Sequence, residues 1–343
     1  MTIYENYSLR NLNTFGFDVR AARYGEIHSS EEITSFLEKY YRQGDPLLIL
    51  GGGSNLLFTR DFPGMVLRIS LGGIRLVEEG EKEVVISAGA GVVWDDFVAY
   101  CVSNGWGGLE NLSLIPGLVG STPIQNIGAY GMEVGENIRE VHYTEVETGQ
   151  QRVISGTQCG FGYRNSIFKH ELKEKIIVTE VIFSLAPEKI TAAREGLKLD
   201  YGHIRKELEI MGVSDPSIRE VREAVCRIRK SKLPDPAVTG NAGSFFKNPV
   251  VPAEKADALQ THYDCMPSFA DPKGIKIPAA WLIEQCGWKG KRFGDAGVHV
   301  NQPLVLVNYG HATGQQILHL SEQIKNSVLE KFGITLESEV VIV

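Results

Sequence analysis

Apolar residues recur along this chain with two periods, and those periods mark out its elements. From Ser29 the stretch SSEEITSFLEKYYRQG opens on a capping box, Ser29 with Glu32, and then sets Ile33, Phe36 and Tyr40 at helical spacing before a closing glycine. An amphipathic helix is predicted there. The runs PLLIL, GMVLRIS and EVVISAG that follow are short and aliphatic, which predicts strands, and WDDFVAYCVSNG returns to a helical pattern. The first third therefore reads as α+β. Residues 105–135 are glycine-rich without a clean period and predict an ordered loop system, after which two strands, IREVHYTEVE and KIIVTEVIFSL, bracket the turn-rich CGFGYRNSIFKH.

Beyond Leu185 the pattern changes. The stretch PEKITAAREGLKLDYGHIRKELEIMGVSDPS is charged and proline-bounded, so it predicts an excursion or linker with a domain boundary close by. A helix starts at Ser217, with Glu220 in the capping-box position and Ile218, Val221, Val225 and Ile228 on one face. It runs into SKLPDP and then GNAGSFFKNP, which fits neither period. A helix around AAWLIEQCG, a strand PLVLVN, a helix TGQQILHLSEQIKNSVLEKFG and a terminal strand ITLESEVVIV complete a second α+β unit.

Length and charge narrow the function classes. At 343 residues, and roughly 150 residues per domain, two or three units are expected. The formal charge of −7 argues against a general nucleic-acid surface. Cysteines at 101, 159, 226, 265 and 286 form no CxxC pair, and the N-terminal MTIYENYSLRNL has neither a basic start nor an apolar core. Reduced thiols and a cytoplasmic location are expected, with no membrane span, since no run reaches about 18 apolar residues. The histidines offer no HExxH, so no metal is expected. Motifs of nucleophilic hydrolases, Rossmann turns and P-loops are absent.

Three stretches carry candidate chemistry. GGGSNLL follows the strand PLLIL, and its glycines let the backbone approach a ligand with amides facing an anion; a simple tight turn is the alternative. IPGLVGSTPIQNIGAYG supplies small residues, hydroxyls and amides along which an extended cofactor could lie. GNAGSFFKNP sets one hydroxyl among glycines and aromatics, a loop serine bonding its own backbone on the simplest reading.

Taken in order, NTFG at 13–16, GGGSNLLF, IPGLVGSTPIQNIGAYG, YRNSIFK, GNAGSFFKNP and AAWLIEQCG resemble the UDP-N-acetylenolpyruvoylglucosamine reductase (MurB) family over residues 13–339, nearly the whole chain. The resemblance implies an α+β fold. Residues 1–187 would form an FAD-binding domain of the vanillyl-alcohol-oxidase (PCMH) type, with subdomains at about 1–70 and 71–187. Residues 188–215 would form an excursion carrying Tyr201, and 216–343 an α+β substrate domain.

It further implies FAD held by Gly51, Gly52, Gly53, Ser54, Asn55, Gly117, Gly120, Ser121, Thr122, Gln125, Asn126, Gly128 and Ala129. Because no histidine lies between His28 and His142, the flavin is expected to be non-covalent. NADPH would be the co-substrate, sharing the cleft of UDP-N-acetylglucosamine enolpyruvate, since no separate nicotinamide unit is visible. By the same resemblance Ser244 is the proton donor, while Arg164 and Glu339 are its catalytic partners. Tyr163, Tyr201, Lys232, Asn248 and Gln302 would contact substrate, and the enzyme would act as a monomer. The chemistry suits the residues: protonating an enolate-like carbon needs only a weak acid held in place, and a guanidinium fork matches a carboxylate.

The C-terminal stretch departs from the family, where Arg and a longer tail follow Glu-Val. Here the sequence is EVVIV, and Glu337 would face the same side of a strand as Glu339. Two rival readings are an FAD-dependent oxidase of another alcohol or sugar and a non-catalytic nucleotide-sugar binder.

Overall fold

The computed structural model describes residues 1–193, 196–201 and 203–343, so the excursion expected at 188–215 lies partly outside the described residues. Contacts gather the chain into two compact units. The first takes Met1–Tyr7, Ala21–Gly52 and Pro63–Ser231, the second Ser8–Arg20, Gly53–Phe62 and Lys232–Val343.

In the first unit a four-stranded sheet runs in the order Ile3–Ser8, Arg20–Ile27, Phe62–Ile69, Leu47–Leu50. The last two strands are parallel, Leu47 opposite Met65. The helix Ser30–Lys39 forms as expected, with Ser29 Oγ accepting from the Glu32 amide and Ile33 and Phe36 buried. A larger antiparallel sheet follows in the order Gln151–Ser155, Ile138–Glu145, Ile176–Pro187, Val84–Gly89, Ile74–Glu79, and Trp106–Gly107 pairs with the end of its central strand. Every residue of Val84–Gly89 is buried. The helix Trp94–Ser103 lays Trp94 and Phe97 against Phe183, and Cys101 is wholly buried with them, which raises its thiol pKa. The glycine-rich region 105–135 is ordered around three short 3₁₀ turns and a two-stranded ladder, Gly128–Ala129 with Met132–Glu133.

The helix Ile218–Lys232, expected with the C-terminal domain, packs in the first unit up to Ser231. Its apolar face explains the difference. Val221, Ala224, Val225 and Ile228 form one cluster with Ile204 and Leu208, and Arg222 holds Asp95 through a fork of 2.7 and 3.0 Å. An apolar stripe belongs to whichever core it buries against, and this one is completed within the first unit.

The second unit is built on an antiparallel sheet in the order Gly240–Ser244, Val305–Asn308, Ala296–Val298, Arg292–Phe293. The helix Gly314–Phe332 buries Ile317, Leu320, Ile324, Val328 and Phe332 in the core that also takes Val298 and Leu306. The expected terminal strand is regular only at Val341–Ile342, parallel to Leu56–Leu57. Before it, Ile334, Leu336 and Val340 are buried in alternation, but the partner is the short stretch after Ser244, so pairing is local.

Candidate functional site

In the first unit the strand Leu47–Leu50 delivers Gly51 and Gly52 against a second glycine-bearing turn. A Cβ on Gly52 would lie 3.0 Å from Gly117 Cα, and one on Gly51 would lie 3.6 Å from Ser121 Cβ. Gly120 is as crowded: its amide donates to Ala90 O at 2.9 Å, and a side chain there would meet Ala90 Cβ at 2.5 Å. Gly52 and Gly120 are small because backbone meets backbone, whereas Gly51 has ordinary room beside Ser121.

The neighbouring side chains are largely turned inward. Ser121 and Thr122 hydroxyls donate to Leu118 O and Val119 O. Asn126, buried and at φ +49, donates to Glu133 Oε2 and Gly162 O and accepts from the Gly135 amide. Gln125, Gly128 and Ala129 remain half-buried. The half-exposed surface of Gly51, Gly52, Gly117 and Gly120 thus offers fixed backbone and almost no side-chain bulk. That fits a long, flat cofactor such as FAD lying against the chain, whereas Thr122 and Asn126 serve the fold with their side chains.

Arg164 stands on a tight turn closed by the Gly162–Asn165 bridge, in the left-handed region at φ +52. Its Nη2 donates to Gly128 O at 2.7 Å, and its guanidinium lies 5.4 Å from the Tyr163 ring centre. The predicted catalytic arginine therefore shares the segment of predicted cofactor residues. Tyr201, half exposed, packs over Gly131.

In the second unit the NTFG motif has a structural job. Asn13 folds its own turn, bonding Leu9 O, Phe17 O and the Phe17 amide. The Thr14 amide donates to Gly53 O at 3.1 Å. Gly53 has φ +64 and would meet Leu12 O at 2.0 Å if it carried a Cβ. Ser54 is half-buried. Asn55 Nδ2 donates to Glu339 O at 3.2 Å, so this side chain braces a catalytic candidate.

Ser244 ends a strand that carries one extra residue: Asn241 faces Val307 and Ser244 faces Val305. Gly243, at φ +69, makes the bulge, and Asn241 Oδ1 accepts its amide at 2.9 Å. Bulges re-aim side chains in this way. One residue on, Phe245 O accepts the Glu339 amide at 2.8 Å. The register separates the two glutamates. Glu337 lies opposite Lys247 and pairs with it at 2.9 Å in solvent, while Glu339 is half-buried beside Ser244's neighbour.

The remaining candidates divide. Asn248 Oδ1 accepts the Ala279 amide at 2.9 Å, at the start of the helix Ala279–Gln285. Gln302 closes its own turn through Val305 N and Leu304 N. Lys232 is exposed.

Sequence reasoning missed His299, whose amide bonds Val305, the residue facing Ser244. Its Nδ1 is buried without a partner among the described residues, and burial lowers its pKa. A lone histidine in VHVNQP gave no pattern to find it by.

Comparison with known proteins gives two family models: an FAD binding domain over residues 21–155 and the C-terminal domain of UDP-N-acetylenolpyruvoylglucosamine reductase over 235–343. The UDP-N-acetylenolpyruvoylglucosamine reductase of Chromobacterium violaceum is 49% identical over 334 residues, 96% of each chain. That of Flavobacterium johnsoniae is 45% identical over 341 residues, 99% of each. Among solved structures, the MurB reductase of Thermus caldophilus matches with a TM-score of 0.68 at 24% identity, over 99% of this chain and 98% of that one, a likeness of fold. The expected α+β architecture, with the FAD-binding domain first and the reductase-type domain second, is the one these matches carry.

Proposed function

The chain belongs to the UDP-N-acetylenolpyruvoylglucosamine reductase family, and from that premise we propose that it reduces UDP-N-acetylglucosamine enolpyruvate to UDP-N-acetylmuramate at the expense of NADPH. FAD, when bound, would supply the hydride chemistry between NADPH and C3 of the enolpyruvyl group. The glycine-walled surface of the first unit would hold it without a covalent link.

Ser244 would donate the proton that C2 needs. After hydride addition, electron density collects on C2 and its carboxylate, and a positioned hydroxyl is acid enough to end it. Arg164 would hold that carboxylate with its planar fork. Glu339 would stabilise the enol form as Ser244 gives up its proton. Lys232 would meet the diphosphate as a point charge, and Asn248, Gln302, Tyr163 and Tyr201 would contact the nucleotide sugar. The same reading assigns FAD to 1–187 and substrate to the C-terminal region, which begins at Lys232 once the helix Ile218–Lys232 is counted with the first unit up to Ser231, in a cytoplasmic monomer. No described helix is long and apolar enough to cross a membrane.

The observation that best supports this reading is the closeness of the Ser244 and Glu339 segments along the chain's fold. A bulge at Gly243 re-aims the strand end at Ser244, and the Glu339 amide bonds the carbonyl of the next residue, Phe245, across 95 residues of sequence. A solvated loop serine would need neither.

The test is anaerobic. NADPH should bleach the flavin absorbance, and UDP-N-acetylglucosamine enolpyruvate should restore it. Recovery only on admitting oxygen would replace the reductase with an oxidase, and absence of flavin after gentle purification would leave a binding protein.

A further inference from the structure

Beneath Tyr201 lies a polar assembly that the proposed reaction does not use. Asn111 is fully buried in the turn Glu110–Leu112. Its Nδ2 donates in two directions, to Tyr130 O at 2.9 Å and to Lys198 O at 2.8 Å. Lys198 Nζ donates to Gly131 O, beside Tyr130, at 3.1 Å and to Glu136 Oε2 at 2.5 Å.

The residues beside Lys198 face the other way: Leu197 and Leu199 pack on the cluster of Ile204, Leu208, Val221 and Ile228. The segment is thus held by apolar contacts on one side and by three hydrogen bonds on the other. Three residues after Lys198, Tyr201 sits over Gly131, where an added Cβ would be 3.3 Å from its own. Gly131 has φ +78, so the turn is one that a larger residue would strain as well as crowd.

We propose that Asn111 and Lys198 are positioning residues for Tyr201. By tying residues 198–201 to the Tyr130–Gly131 turn they fix the ring over a segment whose Gly128 carbonyl also receives Arg164. An aromatic placed before its ligand arrives loses less freedom on binding, so the expected benefit falls on substrate affinity. What Tyr201 touches rests on the reading under Proposed function; the tether itself does not.

Chymotrypsin cutting after Tyr201, followed by mass spectrometry on the FAD-loaded full chain, reads the tether without substrate. Asn111→Ala and Lys198→Met should be cut roughly tenfold faster than wild type, since each loses hydrogen bonds that close the segment. Lys198→Arg, which keeps donors, should recover part of the protection. The same two loosening variants should raise KM for the nucleotide sugar several-fold with kcat held. Unchanged cutting in Lys198→Met, the variant least prone to misfold, overturns the tether even if the flavin cycle runs as proposed. Faster cutting with unchanged KM overturns the positioning role and leaves the reductase reading intact.

Discussion

The backbone amide of Glu339 donates to Phe245 O at 2.8 Å, and this bond sets the Glu339 backbone next to the residue that follows Ser244. Two positions earlier, Glu337 is exposed and paired with Lys247. Glu339→Gln should therefore slow flavin reoxidation by the nucleotide sugar by about 10²-fold, as loss of one stabilising group at a reacting centre does. Glu337→Gln should stay within about twofold, because exposed ion pairs contribute little. Stopped-flow traces of the second half-reaction check both, and equal losses would remove Glu339 from the site.

Ser244→Ala should leave flavin bleaching by NADPH at its wild-type rate. It should slow the subsequent reoxidation by about 10²-fold or more, the range of a general acid. Comparable slowing of both halves would mean that the hydroxyl serves binding or folding instead.

Gly52→Ala should weaken FAD retention. Its methyl would press on Gly117 Cα at 3.0 Å, and overpacking of this kind costs about 1–3 kcal/mol. Gly72→Ala, where nothing stands within 4 Å of the new methyl, is the control. Flavin content after dialysis should fall for the first and hold for the second.

Asp95 predicts an acid-side loss of stability. Burial works against its ionisation, but the Arg222 fork and the Leu114 amide outweigh burial and hold its pKa below the usual value. A depressed carboxylate stabilises the fold above its unfolded pKa, about 4, and that stability disappears as pH falls through the lower folded value. Asp95→Asn should cost about 2 kcal/mol at pH 7 and flatten the melting temperature below pH 4. An unchanged slope would show that other carboxylates govern it.

Glu110 has the opposite sign. It is wholly buried, and burial raises its pKa, although the Gly108 amide donates to Oε2 at 2.7 Å and partly opposes the shift. A carboxyl whose folded pKa is raised binds its proton more tightly when folded, so stability declines as pH climbs from the unfolded value toward the folded one. Glu110→Gln removes that decline. Its melting temperature should gain on wild type more at pH 8 than at pH 5, and a uniform loss would contradict the assignment.

Much of this protein is legible from its pattern alone. The helices Ser30–Lys39, Ile218–Lys232 and Gly314–Phe332 all fall where apolar spacing put them. At each of the first two, one half of the expected capping box is made: Ser29 Oγ accepts the Glu32 amide, and the Glu220 carboxylate accepts the Ser217 amide. Such elements depend on residues three and four apart, so a short window contains their cause. The family likewise follows from motifs in order, because a glycine that must let backbone pass backbone, as at Gly52 and Gly120, leaves its mark in the letters themselves.

Tertiary structure decided what depends on partners far away in sequence. A period of two cannot distinguish Glu337 from Glu339, which share a face; the register does, leaving Glu337 exposed and paired with Lys247 and Glu339 half-buried beside Phe245. Nor can composition tell that Asn126 and Thr122 turn into the fold, or that Asn55 braces Glu339. The helix Ile218–Lys232 was predictable as a helix, but its unit was set by the cluster that completed its apolar face. Local hydrogen bonds and side-chain periodicity fix elements one at a time, whereas register, burial of polar side chains and the choice of core are settled only when distant segments compete for the same contacts.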